Sequence, residues 1–285
     1  MSKEKRTLDI VVLSDLHLGT YGCHAKEILN YLQSINPKKL ILNGDIVDIW
    51  QFKKRYFPKE HLMVINHLLK LAEQGTEITY VTGNHDELIR KVSGLKLDKI
   101  EIVNKKELVL TNHRALIFHG DIFDVTMQYS KWLTKIGGTS YEWLVLLNRM
   151  VNKILVSLNK DRISLSKKIK SSVKKAVSYI NDFEELCAKT ALEKGFDTVI
   201  CGHIHEPTIR ELTINDKKIT YLNSGDWIEN LTSLEYSDNK WSIYSYFDQW
   251  AITEEQKVVS KIAHSHKKLF DELLEEFQIG QKVKA

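Results

Sequence analysis

The sequence predicts an α/β protein in which several strands end in polar side chains. Short apolar runs of strand length alternate with longer segments whose apolar residues recur at helical spacing. Five of the predicted strands are followed within three residues by aspartate, asparagine or histidine. Because open α/β sheets bind ligands at the carboxyl ends of their strands, these side chains are the candidate functional residues.

The composition is that of an ordinary globular protein. The 285 residues are 43% hydrophobic and 27% charged, which allows one large core or a core with a subdomain. The net charge of +4 favours anionic partners only weakly. Cys23, Cys187 and Cys201 form no Cys-x-x-Cys motif and fit a reducing compartment. Without a signal peptide or a stretch of transmembrane length, we expect a cytoplasmic protein that can contact the inner membrane surface.

The first predicted strand, Leu8–Leu13, is an apolar run that stops shortly before Asp15. His17 follows two residues later, so both side chains can reach one metal ion. Taken alone, this spacing also fits an ordinary polar loop. Helical apolar spacing from His24 to Ile35 then leads to the next strand.

The second predicted strand ends in a glycine and two carboxylates. Residues 40–42 form an apolar run that is too short for a free-standing helix and fits a buried strand. Gly44 allows a sharp turn, after which Asp45 and Asp48 are presented at the edge of the sheet. A helix over residues 58–75 follows, with a proline in its first turn and a glycine as its stop.

The third predicted strand, Glu77–Val81, ends in the most specific combination. A glycine is followed by Asn84, His85 and Asp86, which offer an amide oxygen, an imidazole and a carboxylate in succession. The alternative is an Asx turn that caps the next helix. That alternative does not explain why other strand ends carry matching groups.

Two later strands end in histidines. Shorter strands are predicted at residues 100–103, 107–110 and 115–118. The last of these is followed by His119. From about 125 to 191, helical spacing replaces the strand-like runs, which predicts a helical insertion. Thr198–Cys201 is again a strand, and His203 and His205 follow it.

The rest of the chain predicts a second sheet and a terminal helix. Alternating patterns at 208–214, 218–222, 233–237 and 241–246 predict an antiparallel set that closes this second sheet. Residues 251–285 contain a long, charged amphipathic helix, for which Thr253 and Gln256 form a capping box. The main domain is therefore expected over residues 1–250, with the C-terminal helix beyond it.

Five strand ends together offer seven candidate metal ligands and one additional histidine, His85. The seven are Asp15, His17, Asp45, Asn84, His119, His203 and His205. Mixed carboxylate, amide and imidazole ligands suit Mn²⁺, Zn²⁺ or Fe²⁺ better than Ca²⁺. Two ions about 3.5–4 Å apart that share a carboxylate can grip a phosphoryl group and convert a bound water into hydroxide near neutral pH.

At this point the sequence resembles the calcineurin-like metallophosphoesterases. The motifs are Asp15-x-His17, Gly44-Asp45-x-x-Asp48, Gly83-Asn84-His85-Asp86, His119-Gly120-Asp121 and Gly202-His203-x-His205. The resemblance implies an α/β, four-layer metallophosphoesterase sandwich, in which two mixed β-sheets are flanked by helices. It also accommodates the helical insertion at about 125–191.

The resemblance further implies two divalent ions, with Mn²⁺ favoured and Zn²⁺ or Fe²⁺ as alternatives. One ion would take Asp15, His17, Asp45 and His205, and the other Asp45, Asn84, His119 and His203. His85 would stabilise the phosphate and protonate the leaving oxygen. Asp86 would orient His85, and Asp48 would support the ligands from behind.

Within that superfamily, the chain resembles the UDP-2,3-diacylglucosamine hydrolase branch. The similarity lies in residues 14–19, in the insertion and in Gly225-Asp226-Trp227. It implies cleavage of a pyrophosphate to UMP and a lipid 1-phosphate at the inner membrane surface. One position departs from the branch. The third motif of that branch resembles Gly-Asn-Arg-Asp, and here His85 stands in place of the arginine.

The predicted insertion is strongly basic. Nine lysines and arginines lie from Arg149 to Lys175 with a single acid, Asp161, and apolar residues are interleaved with them. This pattern suits a lid over an acyl substrate with phosphates, or contact with an anionic membrane. A solvated basic helix packed on the domain explains it equally. The aromatic residues precede the basic cluster, which argues against nucleic acid as a partner.

We therefore expect a two-metal phosphoester or pyrophosphate hydrolase. Its expected substrate is a phosphorylated small molecule or lipid, such as UDP-2,3-diacylglucosamine. The first alternative is a phosphodiesterase or phosphatase for soluble nucleotides or nucleic acid. The second alternative, of another class, is a catalytically inactive scaffold, against which the complete ligand set argues. The oligomeric state is left open.

Overall fold

Two mixed β-sheets form the framework. The computed structural model describes residues 5–48, 56–111, 113–124 and 166–249. Its strands are β1 (Arg6–Leu13), β2 (Ile35–Asn43), β3 (Glu77–Val81), β4 (Lys96–Leu97), β5 (Ile100–Val103), β6 (Lys106–Val109), β7 (Arg114–Ile117), β8 (Thr198–Cys201), β9 (Thr208–Ile214), β10 (Lys217–Asn223), β11 (Thr232–Ser237) and β12 (Lys240–Ser245). Its helices are α1 (Ala25–Ser34), α2 (Lys59–Glu73), α3 (Glu87–Arg90), α4 (Ser166–Glu193) and α5 (Tyr246–Gln249), with a 3₁₀ turn at Asp121–Phe123.

The first sheet has the strand order β12-β11-β1-β2-β3-β5-β4. Its strands β1, β2, β3 and β5 run parallel, and α1 and α2 form the crossovers between the first three. Val12 pairs with Ile41, and Ile41 pairs with Thr79, which sets the register. The chain passes from α1 into β2 without a loop, since Ser34 is the last helical residue and Ile35 the first extended one.

The second sheet has the order β6-β7-β8-β10-β9. The prediction that the last four strands close this sheet is right for β9 and β10 but wrong for β11 and β12. β11 pairs antiparallel with β1, with Ile10 opposite Tyr236, and so belongs to the first sheet. β10 pairs antiparallel with β9, as predicted, and runs parallel to β8 on its other side. Alternation in a sequence predicts which side chains share a face, but it does not select the neighbouring strand.

The two sheets enclose a common apolar layer, and helices cover the outside. The inner cluster combines Val12 and Ile41 from the first sheet with Ile117 and Ile200 from the second. On the outer face of the second sheet, α4 packs Phe183 and other apolar residues against β7, β8 and β10. α1 and α2 pack against each other beside the first sheet. The predicted four-layer arrangement of helices and two mixed sheets is therefore confirmed.

The predicted boundaries of α2 agree with the structure, because the helix begins after Pro58 and stops before Gly75, whose φ is +102°. Of the predicted insertion, residues 166–191 lie in α4. Most of the basic lid, together with the C-terminal helix, lies outside the described residues. The chain divides into the units Met1–Tyr244 and Ser245–Ala285. Among the described helices, none is both long and apolar enough to cross a membrane.

Candidate metal centre

The five predicted strand ends are brought together by strand direction. β1, β2 and β3 are parallel neighbours in the first sheet, and β7 and β8 are parallel neighbours in the second. Backbone hydrogen bonds continue past the strands: Asp15 N donates to Gly44 O at 3.0 Å, and Gly202 N donates to His119 O at 3.0 Å. The polar segments after the strands are therefore held at one edge of the core.

The backbone is left-handed at most of the predicted ligands. Positive φ angles of 47° to 69° occur at Asp15, His17, Asp45, His203 and His205. Non-glycine residues in this region are uncommon and cluster at functional sites, where the surrounding structure holds them in place. The glycines of the motifs allow close approach, because a Cβ on Gly44 would overlap the His119 ring and a Cβ on Gly83 would overlap Asp45.

Three groups of possible ligand atoms form at this edge, each with its atoms within 4.8 Å of one another. The first group is Asp15, His17 and His205, the second is Asp45, His119 and His203, and the third is His17, Asp48 and His85. The first two groups consist only of predicted ligands, and Asp45 of the second also faces the first. Its Oδ2 is 3.3 Å from His119 Nε2 and 4.0 Å from His17 Nε2. The geometry thus places one carboxylate within reach of both groups.

The donor set fits divalent cations. Asn84 Oδ1 is buried and makes no hydrogen bond to the described residues. Leaving such atoms unpaired costs about 1–3 kcal/mol each, so a folded protein retains them where a ligand satisfies them. Carboxylate oxygens, an amide oxygen and imidazole nitrogens suit Mn²⁺, Zn²⁺ or Fe²⁺.

The histidine rings are fixed by groups behind them. His119 Nδ1 donates to the carbonyl of Asn43 at 2.8 Å, which leaves Nε2 as the nitrogen available to a metal. His203 Nε2 lies 2.7 Å from Asp124 Oδ1, which leaves its Nδ1 available. Hydrogen-bond partners of this kind fix the tautomer and the orientation of a ligating ring. Neither partner was identified from the sequence.

The carboxylate beside His85 is Asp48, and this corrects the expectation that Asp86 orients His85. Asp48 Oδ2 lies 3.2 Å from His85 Nδ1. Asp86 instead accepts hydrogen bonds from backbone N–H groups and from Tyr80. His85 lies edge-on to His17, with ring centroids 4.8 Å apart, and its side chain is 38% exposed. The His85 ring is therefore accessible to a molecule that binds at this edge of the core.

Opposite charges dominate the electrostatics. Burial would raise the pKa of Asp15, but the charges of His205 and His119 outweigh it and lower the pKa to about 2. Burial would lower the pKa of His205, but Asp15, whose Oδ1 is 3.1 Å away, raises it to about 9. Burial lowers the pKa of His17. The Asp15 carboxylate is thus ionised. A metal ion that binds at Asp15 must compete with the proton on His205.

A sixth segment supports the site from the far side. Trp227 N donates to Asp15 O at 3.2 Å, and Asn230 Nδ2 donates to His205 O at 2.8 Å. Asp226, which is fully buried, accepts hydrogen bonds from three backbone N–H groups of this loop. The sequence motif Gly225-Asp226-Trp227 identified this segment but did not predict a role for it. His61 is buried and accepts a hydrogen bond from Gly19 N at 2.7 Å.

Comparison with known proteins agrees with this geometry. The calcineurin-like phosphoesterase family model matches residues 8–207. A UDP-2,3-diacylglucosamine hydrolase of Aliivibrio fischeri is 25% identical over 83% of this chain and 98% of its own length. One of Proteus mirabilis is 27% identical over 72% of this chain and 85% of its own length.

Solved structures to which the chain shows similarity include the phosphoesterase Yfce from E. coli and an archaeal phosphodiesterase. Each is 14% identical to this chain. The match to Yfce has a TM-score of 0.44 and covers 85% of this chain and 94% of Yfce. The match to the archaeal protein has a TM-score of 0.40 and covers 83% of this chain and 98% of that protein. The family match over residues 8–207 includes every predicted ligand, from Asp15 to His205. The chain therefore belongs to the calcineurin-like phosphoesterase family and is a metallophosphoesterase, a hydrolase whose family uses divalent metal ions.

Proposed function

We propose that the protein hydrolyses a phosphoanhydride at a two-metal centre and that its substrate is a lipid-linked nucleotide sugar such as UDP-2,3-diacylglucosamine. The observation that carries the proposal is the position of Asp45. Its Oδ2 faces His119 of one ligand group at 3.3 Å and His17 of the other at 4.0 Å. A carboxylate shared by two ions is the arrangement that grips a phosphoryl group.

The proposed ligand sets share that carboxylate. One site comprises Asp15, His17, Asp45 and His205, and the other comprises Asp45, Asn84, His119 and His203, with Mn²⁺ as the favoured ion. When bound, the two cations supply charge neutralisation for the phosphate oxygens and lower the pKa of a bound water. In this scheme, His85 stabilises the phosphate and gives a proton to the leaving oxygen, and Asp48 holds the His85 ring.

The substrate class is supported by the relatives. Proteins named UDP-2,3-diacylglucosamine hydrolase match this chain over 98% of the length of one and 85% of another. We propose that this chain acts on the same chemical class, at the cytoplasmic face of a membrane, with the basic insertion as its lid. That insertion lies mostly outside the described residues, so the lid rests on its sequence pattern alone.

A second candidate function is hydrolysis of a soluble nucleotide phosphodiester or phosphomonoester. The observation that favours it is His85 in the third motif. The lipid-acting branch has an arginine at this position, whereas the histidine resembles the third motif of general phosphoesterases. Under this alternative, the acyl chains of a lipid substrate would contribute nothing to turnover. A catalytically inactive scaffold is disfavoured, because all seven predicted ligands are retained.

Metal content and substrate preference test the proposal together. Metal-stripped protein reloaded with Mn²⁺ should bind two ions per chain by elemental analysis. It should release UMP from UDP-2,3-diacylglucosamine at least tenfold faster, in kcat/KM, than from UDP-N-acetylglucosamine, which lacks the long acyl chains. Equal rates on the two would favour the soluble-nucleotide alternative, and failure to bind any metal would contradict both enzymatic functions.

A further inference from the structure

Asp86 is a fully buried carboxylate that accepts four hydrogen bonds, two from the turn that carries Asp45 and two from β3 and the residues that follow it. Its Oδ2 accepts from Asp45 N at 2.7 Å and from Gly83 N at 3.0 Å. Its Oδ1 accepts from the Tyr80 hydroxyl at 2.7 Å and from Val47 N at 3.3 Å. The side chain thus joins the turn after β2 to the end of β3.

That turn is conformationally demanding. Asp45 has a φ of +54°, in the left-handed region, which costs an L-residue about 1–2 kcal/mol. Such a residue persists where its neighbours over-determine it. Asp86 receives the N–H groups of Asp45 and Val47, the first and third residues after Gly44, and so fixes the turn on both sides of the strained position.

The direction of the Asp45 carboxylate follows from the turn. Its Oδ1 accepts a hydrogen bond from His85 N at 2.9 Å. Its other oxygen, Oδ2, is left to face the two ligand groups, with His119 Nε2 at 3.3 Å. A rotation of the turn would move Oδ2 away from one group or the other. A ligand that must face both groups therefore tolerates less change in its backbone conformation than a ligand that faces only one group.

We propose that Tyr80 and Asp86 form a positioning pair for the metal centre, in which Tyr80 holds Asp86 and Asp86 holds the turn that aims Asp45 at both ligand groups. The inference rests on the proposed two-metal function and assigns Asp86 a role through Asp45 rather than through His85. The ring of His85 has its own carboxylate neighbour in Asp48.

Tyr80 is suited to hold a carboxylate. Burial and the neighbouring Asp86 charge raise its pKa well above the usual value, so the hydroxyl remains protonated and donates at any working pH. Tyr80 lies in β3, a central strand that has a neighbouring strand on each side. The donor is therefore fixed by the sheet rather than by a loop.

The test compares two isosteric substitutions in the full chain. Tyr80→Phe removes one donor to Asp86. Tyr31→Phe is the matched control, because the buried Tyr31 hydroxyl donates to another carboxylate, Glu235 Oε1, at 2.9 Å. Calorimetric titration of metal-stripped protein with Mn²⁺ should show about 10–100-fold weaker binding for Tyr80→Phe, the usual effect of removing a group behind a ligand. Tyr31→Phe should bind Mn²⁺ as the unchanged protein does.

Asp86→Asn adds a second, stronger change, since an amide has a single acceptor oxygen and can satisfy the N–H of Asp45 or that of Val47 but not both. If the pair acts through Asp45, both variants recover activity at raised Mn²⁺ and lose the same factor on substrates with good and poor leaving groups. Unchanged Mn²⁺ affinity in Tyr80→Phe would overturn the proposal. So would a loss confined to poor leaving groups, because it would assign Asp86 to His85. If Asp86→Asn does not fold, Tyr80→Phe decides alone. Failure of the unchanged chain to bind two ions would instead contradict the two-metal function itself.

Discussion

At the residue scale, Asp45 joins two groups that would otherwise be separate sites. We predict that Asp45→Ala loses both metal ions and nearly all activity, because the carboxylate that faces His119 and His17 is removed. Elemental analysis after gel filtration measures the ions, and hydrolysis of a nitrophenyl phosphodiester measures activity. Asp9→Ala is the control, since Asp9 pairs with Lys38 on an exposed part of β1. Two ions retained by Asp45→Ala would disprove the shared ligand.

His85 has a different predicted effect, because neither ligand set needs it. His85→Ala should keep both metal ions and lose about 10²–10⁴-fold in rate, as removal of a general acid does. The loss should shrink for a nitrophenol leaving group, which departs without a proton. Steady-state kinetics on matched aryl and alkyl phosphodiesters measures this difference. The same loss on both substrates would argue against proton donation by His85.

At the element scale, the ends of β2 and β3 touch, and glycine permits the contact. Gly83→Ala should weaken Mn²⁺ binding at least tenfold, because the added methyl would overlap the Asp45 carboxylate. Gly75→Ala is the control at the end of α2, where φ is +102° and no atom lies within 4 Å of the added methyl. It should lower stability by about 1 kcal/mol and leave Mn²⁺ affinity unchanged. Calorimetry and chemical denaturation separate the effects, and equal Mn²⁺ affinity in both variants would contradict the contact.

The elements also show what sequence patterns can and cannot predict. β3 and β8 have the predicted bounds, because each apolar run stops where the ligand motif begins. The partner of β11 could not be predicted, since it depends on a first strand far away in the chain. The role of Asp86 was misassigned because it follows His85 directly. Adjacent side chains diverge, whereas Asp48 approaches the His85 ring from a neighbouring segment.

At the scale of the whole molecule, stability should depend on pH in opposite ways with and without metal. In metal-free protein, burial would lower the pKa of His205, but the charge of Asp15 outweighs this effect and raises the pKa from 6.5 to about 9. The resulting stabilisation is fully present below pH 6.5 and is lost as pH rises through about 9. We predict that the melting temperature in chelator falls between pH 6.5 and 9.

In excess Mn²⁺, the melting temperature should instead hold or rise over the same pH range, because the metal binds deprotonated imidazole. Differential scanning calorimetry at several pH values, in chelator and in Mn²⁺, measures both trends. His205→Gln should remove the fall seen in chelator. A parallel pH dependence in the two conditions would show that His205 does not link protons to metal binding.

The pairing of β1 with β11 has a consequence for how the chain is made. Ile10 and Tyr236 are neighbours in the sheet but 226 residues apart in the chain. At about 5–20 residues per second, the interval between their syntheses is on the order of 10–45 s. Throughout that time one edge of the apolar β1 has no strand beside it, and such an edge is a template for aggregation. We therefore expect the nascent chain to be most prone to aggregation before β11 is synthesised and the first sheet can close.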